Sequence, residues 1–268
     1  MIKYDYHTHT SHSSDCSTPM EDMIRQAASL GLEEIAITDH MDFSYPENKM
    51  LSPLFGIAAN IREINQMRER YTDDICVLIG AEINLRPDSK NVISEIVNTH
   101  NFDIIIGSVH EIGAVDFSNE KFYENRTKYE AYSLYLQTVF EAITACSDWD
   151  ILGHLCYIER YGNYDDKSLR HADLSDIIDE ILKRVIHSGK GIEINTSSYH
   201  YGLGCPHPAP DIIARYIELG GEIFTIGSDA HRTESIDLGY SETYALLHNL
   251  GIKYISRFRN RVPEFVNV

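Results

Sequence analysis

No stretch of this 268-residue chain is apolar for long enough to cross a bilayer. Basic residues are scarce: 23 Lys and Arg face 41 Asp and Glu, for a net charge of −18. That balance repels nucleic-acid backbones and anionic membrane surfaces, so neither is expected as a partner. It leaves room for an anionic small molecule, because bound divalent cations reverse the sign locally. The five cysteines, Cys16, Cys76, Cys146, Cys156 and Cys205, include no C-x-x-C pair. An odd, dispersed set argues against a disulfide framework and for reduced thiols in a cytosolic protein. Near the start only Lys3 is basic and no apolar segment follows. No signal peptide is therefore expected, and the expected compartment is the cytoplasm. No Pro/Ser linker, low-complexity tract or shift of composition divides the chain, so one domain over residues 1–268 is expected. No G-x-G-x-x-G loop follows the first strand, which counts against an open dinucleotide-binding sheet. No Cys-x5-Arg loop is present, which counts against a phosphocysteine route.

What is present is a recurring unit of helix, glycine and strand. Thr18-Pro19-Met20-Glu21 reads as a helix start, with Thr18 as N-cap, Pro19 at the first helical position and Glu21 completing a capping box. That helix is expected to stop near Gly31, ahead of the strand "EEIAITDH". Ile57, Ile61, Ile64, Met67 and Tyr71 keep helical spacing before the buried strand "ICVLIGAE". "FDIIIGSVH" is another such strand, and Leu136, Val139, Phe140 and Ile143 form a helical face ahead of "WDILGH". Leu174, Ile177, Ile178, Ile181, Leu182 and Val185 mark an amphipathic helix before "KGIEINT". Helices from Pro210 to Leu219 and from Glu242 to Leu250 precede "EIFTIGSDAH" and "IKYIS". Strands apolar on both faces and alternating with helices imply a parallel sheet. Seven or eight such units favour a closed α/β barrel over an open sheet.

The segment "DYHTHTSHSSDCSTP" crowds His7, His9 and His12 together, with Asp15 just beyond. Residues i and i+2 of a strand share a face, so His7 and His9 can grip one ion. The same kind of residue closes nearly every strand: Asp39 and His40, Glu82, His110, His154, Asn195, and Asp229 with His231. In a parallel barrel these ends share one face. Six of the thirteen histidines fall there. Buried imidazoles and carboxylates need partners, and a cation satisfies many acceptors at once. The donor set suits Zn²⁺, Fe²⁺ or Mn²⁺.

The ordered set "HTH" with a downstream Asp, "TDH", "GAE", "GSVH", "GH" and "GSDAH" resembles the polymerase and histidinol phosphatase (PHP) superfamily. "GHL.YI.RYG", "EINTSS…GLG.PHP" and "GSDAHR" are similar to its histidinol-phosphate phosphatase branch, over nearly the whole chain. The resemblance implies a distorted (β/α)7 TIM-like barrel with three divalent transition-metal ions at the strand C-terminal face. It implies His7, His9, Glu82 and Asp229 around a first metal. Glu82 would bridge to a second, held by His110 and His154. Asp15, His40 and His231 would hold the third, with Asp15 placed ahead of His12. Asp39 is expected to orient an imidazole.

The resemblance further implies hydrolysis of a phosphate monoester, with L-histidinol phosphate as the substrate, late in histidine biosynthesis. Two metals lower the pKa of a shared water and neutralise phosphate oxygens. Glu82, Asp229 and His231 are the expected catalytic residues; His231 or Asp229 is expected to serve the leaving alkoxide. Arg160 and Tyr161 are the expected phosphate contacts, since a guanidinium matches phosphate with a fork of donors. Related sequences often carry arginine where this chain has His200, which is expected to be a weaker contact. His171 and His207 are expected to be loop hydrogen-bonders. The alternatives are a PHP phosphoesterase for a nucleotide or sugar phosphate, or a non-catalytic metal-binding module.

Overall fold

Seven times along the chain a short apolar strand leads into a helix. The computed structural model describes residues 2–42 and 53–268. The first three units are β1 (Tyr4–Thr8) with α1 (Met20–Ser29), β2 (Glu34–Ile37) with α2 (Pro53–Arg70), and β3 (Cys76–Asn84) with α3 (Lys90–Thr99). The next two are β4 (Ile104–Ser108) with α4 (Lys128–Ala145), and β5 (Ile151–Leu152) with α5 (Ser175–His187). The last two are β6 (Gly191–Asn195) with α6 (Pro210–Glu218), and β7 (Phe224–Gly227) with α7 (Tyr240–Asn249). An antiparallel hairpin follows, β8 (Tyr254–Arg259) and β9 (Val262–Asn267).

Strands β1 to β7 pair in chain order, each parallel to the next. The seam between β7 and β1 is held by Asp229 N–H to His7 C=O at 2.8 Å and His9 N–H to Ala230 C=O at 2.9 Å. The result is a nearly closed seven-stranded (β/α)7 barrel, as the alternating pattern implies.

Alternation along each strand divides the core. Ile35 and Ile37 of β2 and Val77 and Ile79 of β3 face the helices, with Met20, Met23 and Ile24 of α1 in the same cluster. Ala36, Leu78, Ile104 and Ile151 face inward and meet Tyr6 and Phe258 at the base of the barrel. The hairpin plugs that end. The Phe258 N–H donates to Tyr6 Oη at 3.1 Å, and the Arg261 guanidinium grips Asp150 at 2.9 Å. Arg259 pairs with Glu34 of β2. The sequence reading stops at "IKYIS" and gives no sign of this plug.

One local expectation changes. Thr18 does not cap α1: its hydroxyl donates to the His231 carbonyl at 2.9 Å, and Pro19 takes the N-cap position. This ties the loop after β1 to the loop after β7. The register of β1 against β2 shifts between Asp5 and Thr8. Simple alternation would send Tyr6 and His7 to opposite faces. The irregularity instead lets Tyr6 fill the barrel base while His7 reaches the buried Glu193 carboxylate on β6. Among the described residues, no helix is long and apolar enough to cross a membrane.

Candidate metal centre

The strand ends deliver their polar side chains to one place. His7 and His9 come from the end of β1, Asp15 from the loop behind it, and Glu82 from β3. His40 sits on a two-residue strand, His40–Met41, laid against β3. His110, His154 and Asp229 each stand just past the end of β4, β5 and β7. Two of these have left-handed backbones that side chains rarely adopt: Asp229 at φ 54° and His154 at φ 20°. Both turns are held from outside, Asp229 by its N–H on His7 and His154 by its N–H on Glu193.

Three neighbouring groups result, the first two sharing Glu82. In the first, His7 Nε2 and His9 Nε2 lie 3.1 Å apart. Glu82 Oε2 is 3.3 and 3.5 Å from them, and Asp229 Oδ1 is 3.6 and 3.3 Å away. In the second, Glu82 Oε1 lies 3.2 Å from His110 Nε2 and 2.8 Å from His154 Nε2. In the third, Asp15 Oδ2 is 3.4 Å from His40 Nε2 and 3.1 Å from His231 Nε2. His12 lies elsewhere, with Nε2 on Glu63 at 2.8 Å. Asp39 accepts from Thr10, Asn60 and Ser13, and the Ser13 hydroxyl meets His9 Nδ1 at 3.1 Å. Asp39 thus orients an imidazole through a hydroxyl.

Residues 5–197 match the PHP domain family. The chain belongs to that family. Among its PHP relatives, the histidinol-phosphatase of Lactococcus lactis is 30% identical, covering 96% of this chain and 95% of its own. A Clostridium acetobutylicum protein named "Probable histidinol-phosphatase" is 32% identical, covering 98% and 99%. The crystal structure of the Lactococcus lactis histidinol phosphate phosphatase, complexed with zinc, L-histidinol and phosphate, matches at a TM-score of 0.88 and 30% identity. Each chain is covered to 98%.

The PHP site fits divalent cations on its own geometry. Glu82 Oε2 is buried with no hydrogen-bond donor, yet three imidazoles crowd it within 3.5 Å. A cation between them gives every lone pair a partner. Without one, charge collects in the protein. Burial opposes ionisation of Glu82 and Asp229, but His7 and the neighbouring cations outweigh it and hold both carboxyls well below the usual range. Burial likewise opposes charge on His7, and Glu193, Glu82 and Asp229 override it and raise its pKa. His9 and His154 are pushed down to about 4, chiefly by burial. These two stay neutral with lone pairs available.

Above the clusters opens a cavity of about 520 Å³. Arg160, Tyr161 and His200 line it, with Arg232 beside His231. Arg160 is not a free fork. Its Nη2 donates to Asp229 Oδ2 at 2.7 Å and to Ser197 Oγ at 2.5 Å, and its guanidinium lies 4.8 Å from the Tyr157 ring centre. Its Nε is buried without a partner. The Tyr161 hydroxyl meets that of Tyr157 at 3.0 Å, and His200 stands exposed on the rim. Asn195 serves the protein, donating to Glu193 at 3.0 Å and accepting from Ser197 N–H at 3.0 Å. His207 is buried beside Glu159 and His171 pairs with Asp179; neither lines the cavity.

Sequence reasoning missed Glu193, Ser197 and Arg232. The signal for Glu193 lies in "GIEIN": an acid between two isoleucines in a buried strand must face the barrel interior. Arg232 follows directly on "GSDAH".

Proposed function

We propose that this PHP protein is a metal-dependent phosphomonoesterase and that L-histidinol phosphate is its substrate. One observation carries the reaction class: the two oxygens of buried Glu82 face separate imidazole groups, beneath a cavity walled by Arg160 and Arg232. Cations held there would supply Lewis acidity at the phosphoryl oxygens and an activated water near neutral pH.

His7, His9, Glu82 and Asp229 would hold one ion, Glu82, His110 and His154 a second, and Asp15, His40 and His231 a third. The proximity of Asp15 to both His40 and His231 supports its place over His12. Arg160 has two tasks. Its Nη2 fixes Asp229, and the same guanidinium lines the cavity, where it would meet a phosphate oxygen. Tyr161, His200 and Arg232 complete the anion-binding wall. His231 is the most exposed imidazole of the nine-residue set, at 29% of its side chain, and so the one nearest in reach to a leaving alkoxide.

The substrate assignment is supported by full-length similarity to the Lactococcus lactis enzyme, whose structure holds L-histidinol and phosphate. On this reading the protein acts late in histidine biosynthesis. The test is phosphate release by metal-reconstituted protein from L-histidinol phosphate and from a panel of nucleotide and sugar monophosphates. Histidinol phosphate should give the highest kcat/KM. A higher value for a nucleotide or sugar phosphate would move the protein to another PHP phosphoesterase activity. Metal-loaded protein inert towards the whole panel would mark a binding module.

A further inference from the structure

The Glu193 carboxylate is fully buried and stands behind the first two clusters without belonging to either. Its Oε1 lies 2.6 Å from His7 Nδ1. Its Oε2 accepts from the His154 backbone N–H at 2.9 Å and from Asn195 Nδ2 at 3.0 Å. One side chain on β6 therefore reaches β1 on one side and the end of β5 on the other. The path to His7 passes Gly227 on β7. A Cβ there would sit 2.4 Å from Glu193 Oε1 and 2.4 Å from His7 Cβ, so glycine is what lets them meet.

We propose that Glu193 is a positioning residue that couples the first and second metal sites, while the third is independent of it. This rests on the metal reading of the site. A carboxylate offers only acceptors, so its contact with Nδ1 assigns the His7 proton to that nitrogen. When the ring carries that single proton, Nε2, which faces His9, Glu82 and Asp229, keeps its lone pair for a cation. At His154 the control runs through the backbone. Its ring Nδ1 is buried without a partner, so no second hydrogen bond steers the imidazole. The N–H held by Glu193 fixes the unusual φ of 20° that aims His154 Nε2 at Glu82. Asp15, His40 and His231 make no hydrogen bond to Glu193.

Glu193→Gln keeps the shape and breaks the logic. Three donors converge on the carboxylate, and an amide has one acceptor and one NH₂. If the amide NH₂ faces His7, the imidazole must shift its proton to Nε2, which then cannot ligate. If it faces His154, the end of β5 must move. Zinc titration against a chromophoric chelator should show one or both of the first two sites weakened roughly 10- to 100-fold, with the third within about twofold. The melting temperature of the metal-free variant should stay close to wild type, which separates positioning from unfolding. A second readout needs no variant. Zinc-loaded wild-type protein labelled with ¹⁵N-histidine should show a buried, slowly exchanging Nδ1–H coupled to the His7 ring. Its absence overturns the proposal, as do unchanged zinc affinities in Glu193→Gln or equal weakening of all three sites. Wild-type protein that binds no zinc overturns the metal reading and this coupling with it.

Discussion

Arg160→Ala removes a side chain that serves two partners, and the structure says how to separate them. The first is Asp229: Nη2 to Oδ2 is 2.7 Å, with 6% and 5% of the two side chains exposed. The second is the phosphate proposed to lie in the cavity. A hydrogen bond to a charged group is worth about 1.5–3 kcal/mol. At about 1.4 kcal/mol per decade, losing the phosphate contact lowers kcat/KM roughly 10- to 100-fold. Losing the Asp229 contact acts on metal binding instead, because Asp229 Oδ1 belongs to the first cluster. Assayed at saturating metal, Arg160→Ala should show the full loss in kcat/KM, and inorganic phosphate should inhibit it more weakly by a similar factor. Assayed at limiting metal, it should lose further activity. Arg160→Lys should keep the ion pair with Asp229 and so restore metal affinity. It should recover only part of kcat/KM, since an ammonium lacks the planar fork. The measurements are steady-state kinetics on histidinol phosphate, with metal per chain determined in each sample. Fully loaded Arg160→Ala with unchanged kcat/KM would refute the phosphate role and leave Arg160 as the clamp on Asp229 alone.

Asp15→Ala should weaken one zinc site and reduce turnover strongly, whereas His12→Ala, paired with Glu63, should do neither; the opposite ranking in metal content and kcat would reassign the third site. Phe258→Ala, at the plugged base of the barrel, should cost about 3–5 kcal/mol in urea unfolding while leaving metal content unchanged. A loss under about 1 kcal/mol would show that the hairpin contributes little there. Hydrogen bonding from Arg215 holds Asp179 below the usual carboxylate range, against a smaller opposing effect of burial. Its stabilising contribution is therefore complete above the unfolded value of about 3.9 and fades as pH falls towards the folded one. The stability gap between wild type and Asp179→Asn should narrow as pH falls from about 4 downwards; a gap that widens over that acid range would reverse the sign of this linkage.

The barrel and the position of its polar face were legible because a parallel strand reports twice. Its apolar body marks the sheet, and its last residues mark which end carries chemistry. "TDH", "GAE", "GSVH" and "GSDAH" each did both, so the strand order alone gathered His40, Glu82, His110, Asp229 and His231. Other features depend on contacts that no local pattern encodes. The hairpin after α7 alternates too weakly to predict its place, and its meaning comes from Tyr6 and Asp150, more than a hundred residues away. The register shift in β1 is invisible in "YDYHTHT", where strict alternation would put His7 opposite Tyr6. Arg160 reads as a phosphate fork until Asp229 is seen to occupy one of its nitrogens.

Glu193, Gly227 and His7 show why such features escape a linear reading. Each is ordinary in its own segment: an acid in a strand, a glycine before a serine, a histidine among histidines. Their connection is one of volume and protonation together. The missing Cβ of Gly227 lets a carboxylate from β6 pass to an imidazole on β1, and that carboxylate decides which ring nitrogen carries the proton. Gly227→Ala should then act like Glu193→Gln on zinc affinity, although residue 227 has no side-chain donor or acceptor of its own. The Cβ would force His7 and Glu193 apart and loosen the same two sites. Zinc titration of Gly227→Ala, with the melting temperature of the metal-free protein as its control, tests that chain of causes. A folded variant with wild-type zinc affinities would mean that His7 keeps its orientation without the Glu193 contact.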